Sequence, residues 1–161
     1  IAHEQEDWDL VILGVASNED ESTGARVKLE CQAESLGLSG RVHFPGLVGN
    51  VGDWYKRADV FVLSSRFEGF PNVLLEAMAA GLACVAFDCK TGPRDVIQHG
   101  LNGLLVTNGD VPAMASSLSK VIEDKDLRQN MGRCATKVVC ELSEAMVSEK
   151  WLSLFQTMRA P

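Results

Sequence analysis

The chain is poor in the residues that most readily announce a chemistry. Its five cysteines, Cys31, Cys84, Cys89, Cys134 and Cys140, are scattered with no CxxC pair. That pattern argues against a disulfide framework or a zinc ribbon and fits reduced cytosolic thiols. His3, His43 and His99 are equally dispersed, so a metal cluster has no support. No Gly-x-Gly-x-x-Gly follows an apolar strand and no Gly-x-x-x-x-Gly-Lys occurs, which leaves nicotinamide, flavin and P-loop readings without their fingerprints. No apolar run approaches the length of a membrane span, and no signal peptide is visible. A net charge of −7 argues against a general nucleic-acid surface. Internal repeats, low-complexity tracts and linkers are also missing.

What is present suits one globular domain. The 161 residues can bury a real core, and 46% hydrophobic with 23% charged residues is ordinary for such a domain. The sequence is organised around Ser64–Asp95, SSRFEGFPNVLLEAMAAGLACVAFDCKTGPRD. The run Val60–Leu63 before it reads as a buried parallel strand. A Gly/Pro loop with Glu68, Gly69 and Pro71 follows, then a helix from Asn72 to Ala80 stopped by Gly81, then a second buried strand, Cys84 to Phe87. Units of this kind bind ligands outside the carboxyl ends of their strands. Pro71 suits a first helical turn, which would leave the N–H groups of Asn72, Val73 and Leu74 free to hold a phosphate.

Glu68 and Glu76 frame that helix start, separated by seven residues. With Val73, Leu74, Leu75, Ala77 and Met78 around it, the helix reads as apolar nearly all round, so Glu76 is expected to be buried and to need hydrogen-bond donors. Ligand hydroxyls are one source. The structural alternative is an ion pair with Arg66 or Lys90, or a cap on a backbone group.

Taken in order, Ile1–Asp7 reads as the end of a helix, Asp9–Gly14 as a short buried strand and Val15–Thr23 as a solvated acidic loop. Ala25–Leu36 has helical spacing, ended by Gly37 and Gly40, and Arg41–Phe44 reads as the next strand. Pro45–Gly49 is then a loop at that strand's carboxyl end, where Gly46 permits a turn or a close ligand approach. Val51–Arg57 is a short helix whose Trp54 and Tyr55 are expected in the core. Beyond the central unit, Thr91-Gly92-Pro93 turns into a helix, and Gly103–Val106 is the last strand. Asp110 caps a helix, and two more follow, near Asp126–Cys140 and Ser143–Met158, with Ser143 as N-cap. The alternation predicts an α/β fold, a doubly wound parallel sheet with helices on both faces.

The run E-G-F-P-N-V-L-L-E-A-M-A-A-G, with T-G-P-R-D-V-I and G-L-N-G-L-L-V downstream, closely resembles retaining glycosyltransferases of the GT-B fold, in the large family of bacterial polysaccharide and lipopolysaccharide sugar transferases. The resemblance spans Trp8 to about Phe155 and implies that residues 1–161 are a single donor-binding, Rossmann-like C-terminal half. It implies transfer of a sugar from a nucleotide diphosphate donor, UDP-linked by expectation, to a glycan or lipid-linked acceptor. Glu68 would contact the donor sugar near the reacting carbon, and Glu76 would accept from the ribose hydroxyls. Gly69, Phe70, Pro71, Asn72 and Val73 would line the sugar and diphosphate, while Gly46 and Leu47 would border the base. A short Gly-x-Gly-Pro turn, frequent in the family, is replaced here by the Val15–Thr23 loop.

The resemblance also implies missing parts. The Arg and Lys that grip the diphosphate, the first strand of the sheet and the N-terminal acceptor domain would precede this segment, so the chain alone is expected to be inactive. No metal or other cofactor and no nucleic acid are expected. The expected location is the cytoplasm, with peripheral attachment at a membrane's inner face through the partner domain compatible with it. A sugar-nucleotide epimerase or hydrolase, or a non-catalytic sugar-nucleotide-binding module, is the alternative on the same fold.

Overall fold

The computed structural model describes residues 5–14 and 21–158. The acidic stretch 15–20 and the residues before Gln5 lie outside the described residues, and Gln5–Asp7 form a turn where a helix end is expected. The chain divides into two units, Ile1–Val51 and Gly52–Pro161.

In the first unit, β1 (Leu10–Leu13) leads to α1 (Glu21–Ser35) and β2 (Val42–Gly46), and the two strands pair in parallel. Leu10 faces Val42 and Val11 faces His43, with an irregularity before Leu13 meets Gly46. Helix α1 starts ahead of the expected Ala25 and stops where Gly37 takes φ +69° and the Leu38 N–H donates to the Ala33 carbonyl at 2.8 Å. The Arg41 guanidinium donates to the carbonyls of Gln5 and Trp8, tying the segment before β1 to the start of β2. Two sequence expectations are corrected here. Strand β1 is not buried: Leu10 is 49% and Val11 39% exposed. Pro45 and Gly46 do not begin a loop but complete β2. Among the described residues β2 pairs with β1 alone, and an edge strand tolerates a proline because its missing N–H costs no ladder bond.

The second unit contains α2 (Val51–Tyr55, which starts at the boundary), β3 (Val60–Leu63), α3 (Asn72–Ala79), β4 (Ala83–Asp88), α4 (Pro93–Val96), β5 (Leu104–Thr107), α5 (Val111–Glu123), α6 (Lys125–Glu141) and α7 (Glu144–Met158). Its strands form a parallel sheet in the order β3-β4-β5. The expected doubly wound sheet lacking its first strand thus meets, among the described residues, five strands in two hydrogen-bonded sets.

Strand β4 sits in the middle, paired on both edges, and Ala83–Phe87 are all buried. Ala83, Val85 and Phe87 share a core with Leu104 and Val106 of β5, Met114 and Val121 of α5, and Met131 of α6. The alternation is that of one sheet face, while Cys84 and Ala86 on the other face are equally buried. Burial raises the Cys84 thiol to about 12, as expected of a core cysteine. Helix α5 starts as expected, with Asp110 accepting from the Ala113 N–H at 2.9 Å and Pro112 in the first turn. At α7 the Ser143 hydroxyl accepts from the Met146 N–H at 3.4 Å, the expected cap.

Helix α3 ends with Gly81 at φ +81°, and α6 crosses that turn through Gly132. A methyl on Gly132 would stand 2.0 Å from the Gly81 carbonyl oxygen, a backbone atom that no rotamer change can move aside. Gly132→Ala is therefore expected to destabilise by at least ~1–3 kcal/mol, the range for an overpacked core. Gly24→Ala, at a position in α1 with nothing within 4 Å of the added methyl, is expected to gain up to ~1 kcal/mol. Urea unfolding of the two variants checks the contrast, and equal midpoints would refute the close approach.

Candidate functional site

The carboxyl ends of β3, β4 and β5 lie side by side because the strands are parallel and in register, Leu63 beside Ala86 and Asp88 beside Thr107. The loops that leave them therefore meet. The loop from Ser64 to Pro71 carries Glu68 and enters α3. Three of its carbonyls accept side-chain donors from the neighbouring loops. Cys89 Sγ reaches the Ser65 oxygen at 3.3 Å, Asn108 Nδ2 the Arg66 oxygen at 3.0 Å, and Thr91 Oγ1 the Glu68 oxygen at 2.5 Å.

The turn that supplies Cys89 and Thr91 is itself braced. Asp88, at the end of β4, holds Arg94 of α4 through a two-pronged pair, Nε–Oδ1 and Nη2–Oδ2 both at 2.8 Å. That hydrogen bond, and then the Asp88 charge, raises the Arg94 guanidinium further above its usual range. Asp95 accepts from the Gly92 N–H at 3.0 Å. Gly92 has φ +97°, and a Cβ there would lie 2.7 Å from Pro71 Cδ and 3.5 Å from Glu68 Cβ. Only glycine lets the turn press directly against the Glu68–Pro71 loop.

At the start of α3, Pro71 takes the N-cap position with no side-chain cap. The three N–H groups expected to be free are not equivalent. Asn72 N–H donates to the Phe70 carbonyl at 3.0 Å and Leu74 N–H to the Pro71 carbonyl at 3.0 Å. Among the described residues, only Val73 of the three has no backbone partner.

Glu76 corrects the sequence reading. Only Leu74, Ala77 and Met78 of α3 are buried, and Glu76 and Val73 are exposed. The expected partners Arg66 and Lys90 are not bonded to it; instead Tyr55 Oη donates to Glu76 Oε2 at 3.3 Å and reaches the Val73 carbonyl at 3.3 Å. Tyr55 is 8% exposed and lies edge-on to Phe61, with ring centroids 6.0 Å apart. The expected core role holds for its ring, while its hydroxyl serves the candidate site. Burial first, and then the Glu76 charge and hydrogen bond, raise the Tyr55 phenol to about 12.

Glu68 is half-buried, and its carboxylate has no hydrogen-bond partner among the described residues. Glu68, Gly69, Phe70, Pro71, Asn72, Val73 and Glu76 are thus gathered in one loop and the first turns of one helix. Gly46 and Leu47 belong to the first unit, Gly46 closing β2 at φ +77° and Leu47 standing 76% exposed. Sequence reasoning missed Cys89, Thr91 and Asn108. The one signal for them was position, since each follows the end of a buried strand. Among the described residues no group of three potential metal ligands occurs, and no helix is long and apolar enough to cross a membrane.

The parallel α/β unit carries Glu68 and Glu76 at one helix entry, and comparison with known proteins places it among GT-B-fold glycosyltransferase domains. The family model for glycosyl transferases group 1 matches residues 1–138, so the chain belongs to that family. Similar proteins include an exopolysaccharide phosphotransferase of Streptomyces coelicolor, 36% identical over 76% of this chain and 13% of its own length. Another is the lipopolysaccharide 1,6-galactosyltransferase of Salmonella typhimurium, 38% identical over 72% of this chain and 32% of its own. Among solved structures, a mutant of S. aureus TarM in complex with Fondaparinux, alpha-GlcNAc-glycerol and UDP superposes with TM-score 0.84 at 26% identity, covering 96% of this chain and 30% of that one. The chain spans about a third or less of the length of these relatives.

The sequence has one tyrosine, so its ionisation is directly readable. Absorbance titration is expected to place Tyr55 near 12, and Glu76→Gln to bring it down toward the ordinary 10.0. The sign for stability follows from the raised value: the contribution is complete below pH 10 and is lost as pH climbs from 10.0 to about 12. A midpoint at 10 in the folded wild-type protein would break the Tyr55–Glu76 link.

Proposed function

We propose that this chain is the donor-binding half of a retaining glycosyltransferase of polysaccharide or lipopolysaccharide biosynthesis, taking a sugar from a UDP-linked donor. The observation that carries the reading is the α3 entry, where Glu68 on a braced loop meets an unpartnered Val73 N–H and Glu76 in the first turns of the helix. A helix N-terminus places positive potential where the departing diphosphate develops charge. Gly69 and Phe70 supply backbone against the sugar and diphosphate, Pro71 contributes shape alone, and Asn72 acts through its side chain because its N–H is already bonded. Glu76, exposed and steadied by Tyr55, is available to ribose hydroxyls. Glu68, with its carboxylate unpartnered, is available to the donor sugar at the reacting carbon. Gly46 and Leu47 border the base in this reading.

The UDP in the TarM complex supports the choice of nucleotide, and the named galactosyltransferase supports sugar transfer to a glycan. The acceptor, a glycan or a lipid-linked one, would bind through an N-terminal domain of the full-length protein, and the diphosphate-gripping Arg and Lys would stand on a loop and helix preceding this segment. The reading calls for no metal and no other cofactor, because fixed donors and those cations balance the diphosphate charge. It places the protein in the cytoplasm, with the acceptor domain as the route to a membrane surface. One relative is named a phosphotransferase, so the transferred group is to be tested directly.

Two substitutions in the full-length protein test the division of roles. Glu76→Gln is expected to weaken UDP binding by ~1.5–3 kcal/mol, the range for hydrogen bonds to a charged group, read by calorimetry. Unchanged affinity would remove Glu76 from the ribose. Glu68→Ala is expected to depress turnover strongly while UDP still binds, because a contact made chiefly in the transition state acts on kcat. Parallel loss of UDP affinity in both variants would contradict the assignment.

A further inference from the structure

The donor-site reading leaves open what aims Glu68. Its side chain is not tied to any described residue, so its direction follows from its backbone, and that backbone is held from outside its own loop. We propose that Thr91 and Asn108 are positioning residues for the transfer step, holding the peptides before Phe67 and after Glu68 so that the Glu68 carboxylate faces the reacting carbon. The inference rests on the proposed donor site and deepens it.

Three features carry it. First, the two hydrogen bonds bracket the Phe67-Glu68 pair: Asn108 Nδ2 holds the Arg66 carbonyl at 3.0 Å and Thr91 Oγ1 holds the Glu68 carbonyl at 2.5 Å. Phe67 between them is 85% exposed and buries nothing that would fix the loop by packing. The loop's geometry therefore rests on polar contacts to its neighbours. Second, the donors come from two different strand ends. Thr91 follows β4 and Asn108 follows β5, so the loop is referenced to the buried sheet and not to itself. Third, the Thr91 turn is preloaded by the Asp88–Arg94 pair, by Asp95 on the Gly92 N–H, and by the Gly92 backbone against Pro71. A hydroxyl delivered from so constrained a turn has little freedom to follow the loop if the loop moves. Thr91 and Asn108 are themselves exposed, so neither is required to fill the core.

Effective positioning of a catalytic group is sensitive to displacements of about an ångström, which cost up to ~100-fold in rate. The test uses the full-length glycosyltransferase with UDP, UDP-glucose, UDP-galactose and UDP-N-acetylglucosamine as probes. Turnover is read as UDP released from the sugar nucleotide that binds, without an acceptor, and UDP affinity is read by calorimetry. Thr91→Val keeps the shape and removes the hydroxyl. It is expected to lower kcat on the order of 10-fold with UDP affinity within about twofold of the parent, and Thr91→Ser to restore turnover. Asn108→Ala, at an exposed position, is expected to show the same split and keeps the proposal testable if Thr91→Val folds poorly. Parental turnover in both Thr91→Val and Asn108→Ala overturns the inference. So does a loss of UDP affinity and urea stability in step with turnover that Thr91→Ser does not rescue, since that marks a purely structural contact. A parent that neither binds UDP nor releases it from any of the three donors overturns the donor-site reading, and the inference with it.

Discussion

A backbone carbonyl that leaves a sheet must find another donor or stay in water, and the second unit is arranged around that requirement at the carboxyl ends of β3, β4 and β5. Strand β4 satisfies it internally, because both its edges are paired and its residues are buried to Phe87. The loop after β3 cannot do so. It carries two phenylalanines, Phe67 and Phe70, that stay exposed, and its carbonyls are met by a thiol, an amide and a hydroxyl from the adjoining loops. The fully buried strand thus fixes a reference level, and the side chains just beyond β4 and β5 transfer that level to the loop bearing Glu68.

The two glutamates at the α3 entry are held in opposite ways. Glu76 has a regular helical backbone and a side chain steadied by a buried phenol. Glu68 has an irregular backbone fixed from outside and a side chain that contacts none of the described polar groups. The first arrangement suits a group that must meet a constant feature of a ligand. The second suits a carboxylate whose surroundings change as a bond is made or broken, since no internal hydrogen bond has to be surrendered.

How much of this was legible in the sequence differs by element. Val60–Leu63 was read with its observed bounds, because an uninterrupted apolar run marks a parallel strand, although only Leu63 is buried and Val60, Phe61 and Val62 are half-buried. The α5 start was legible from Asp110 and Pro112, since capping is local chemistry. The exposure of Glu76 was not. Val73 and Leu75 made α3 look apolar on every side, yet burial is decided by what packs against each face, and only the Leu74, Ala77 and Met78 stripe is covered. Strand β2 was cut short at Phe44 because proline and glycine signal a turn, a signal that an edge strand overrides. Tyr55 acts on α3, and Thr91 and Asn108 on the loop bearing Glu68, all at segments far from them in sequence, and no periodicity reports a contact of that kind. Their partners become visible only when three strand ends are brought together.

The cysteine placement has a practical consequence for the two units. Cys84 and Cys89 are buried in the second unit, and burial leaves Cys84 almost without thiolate near neutral pH. Cys31, on α1 in the first unit, is exposed. Among the described cysteines of the native chain, an alkylating dye therefore meets Cys31 first and leaves the wall behind Glu68 unmarked. The protein carries its own attachment point for a fluorescent probe on one unit, while the three tryptophans, Trp8, Trp54 and Trp151, are divided between the two. Energy transfer from the tryptophans to a dye on Cys31 would report the separation of the units, with and without a ligand, from the native residues alone.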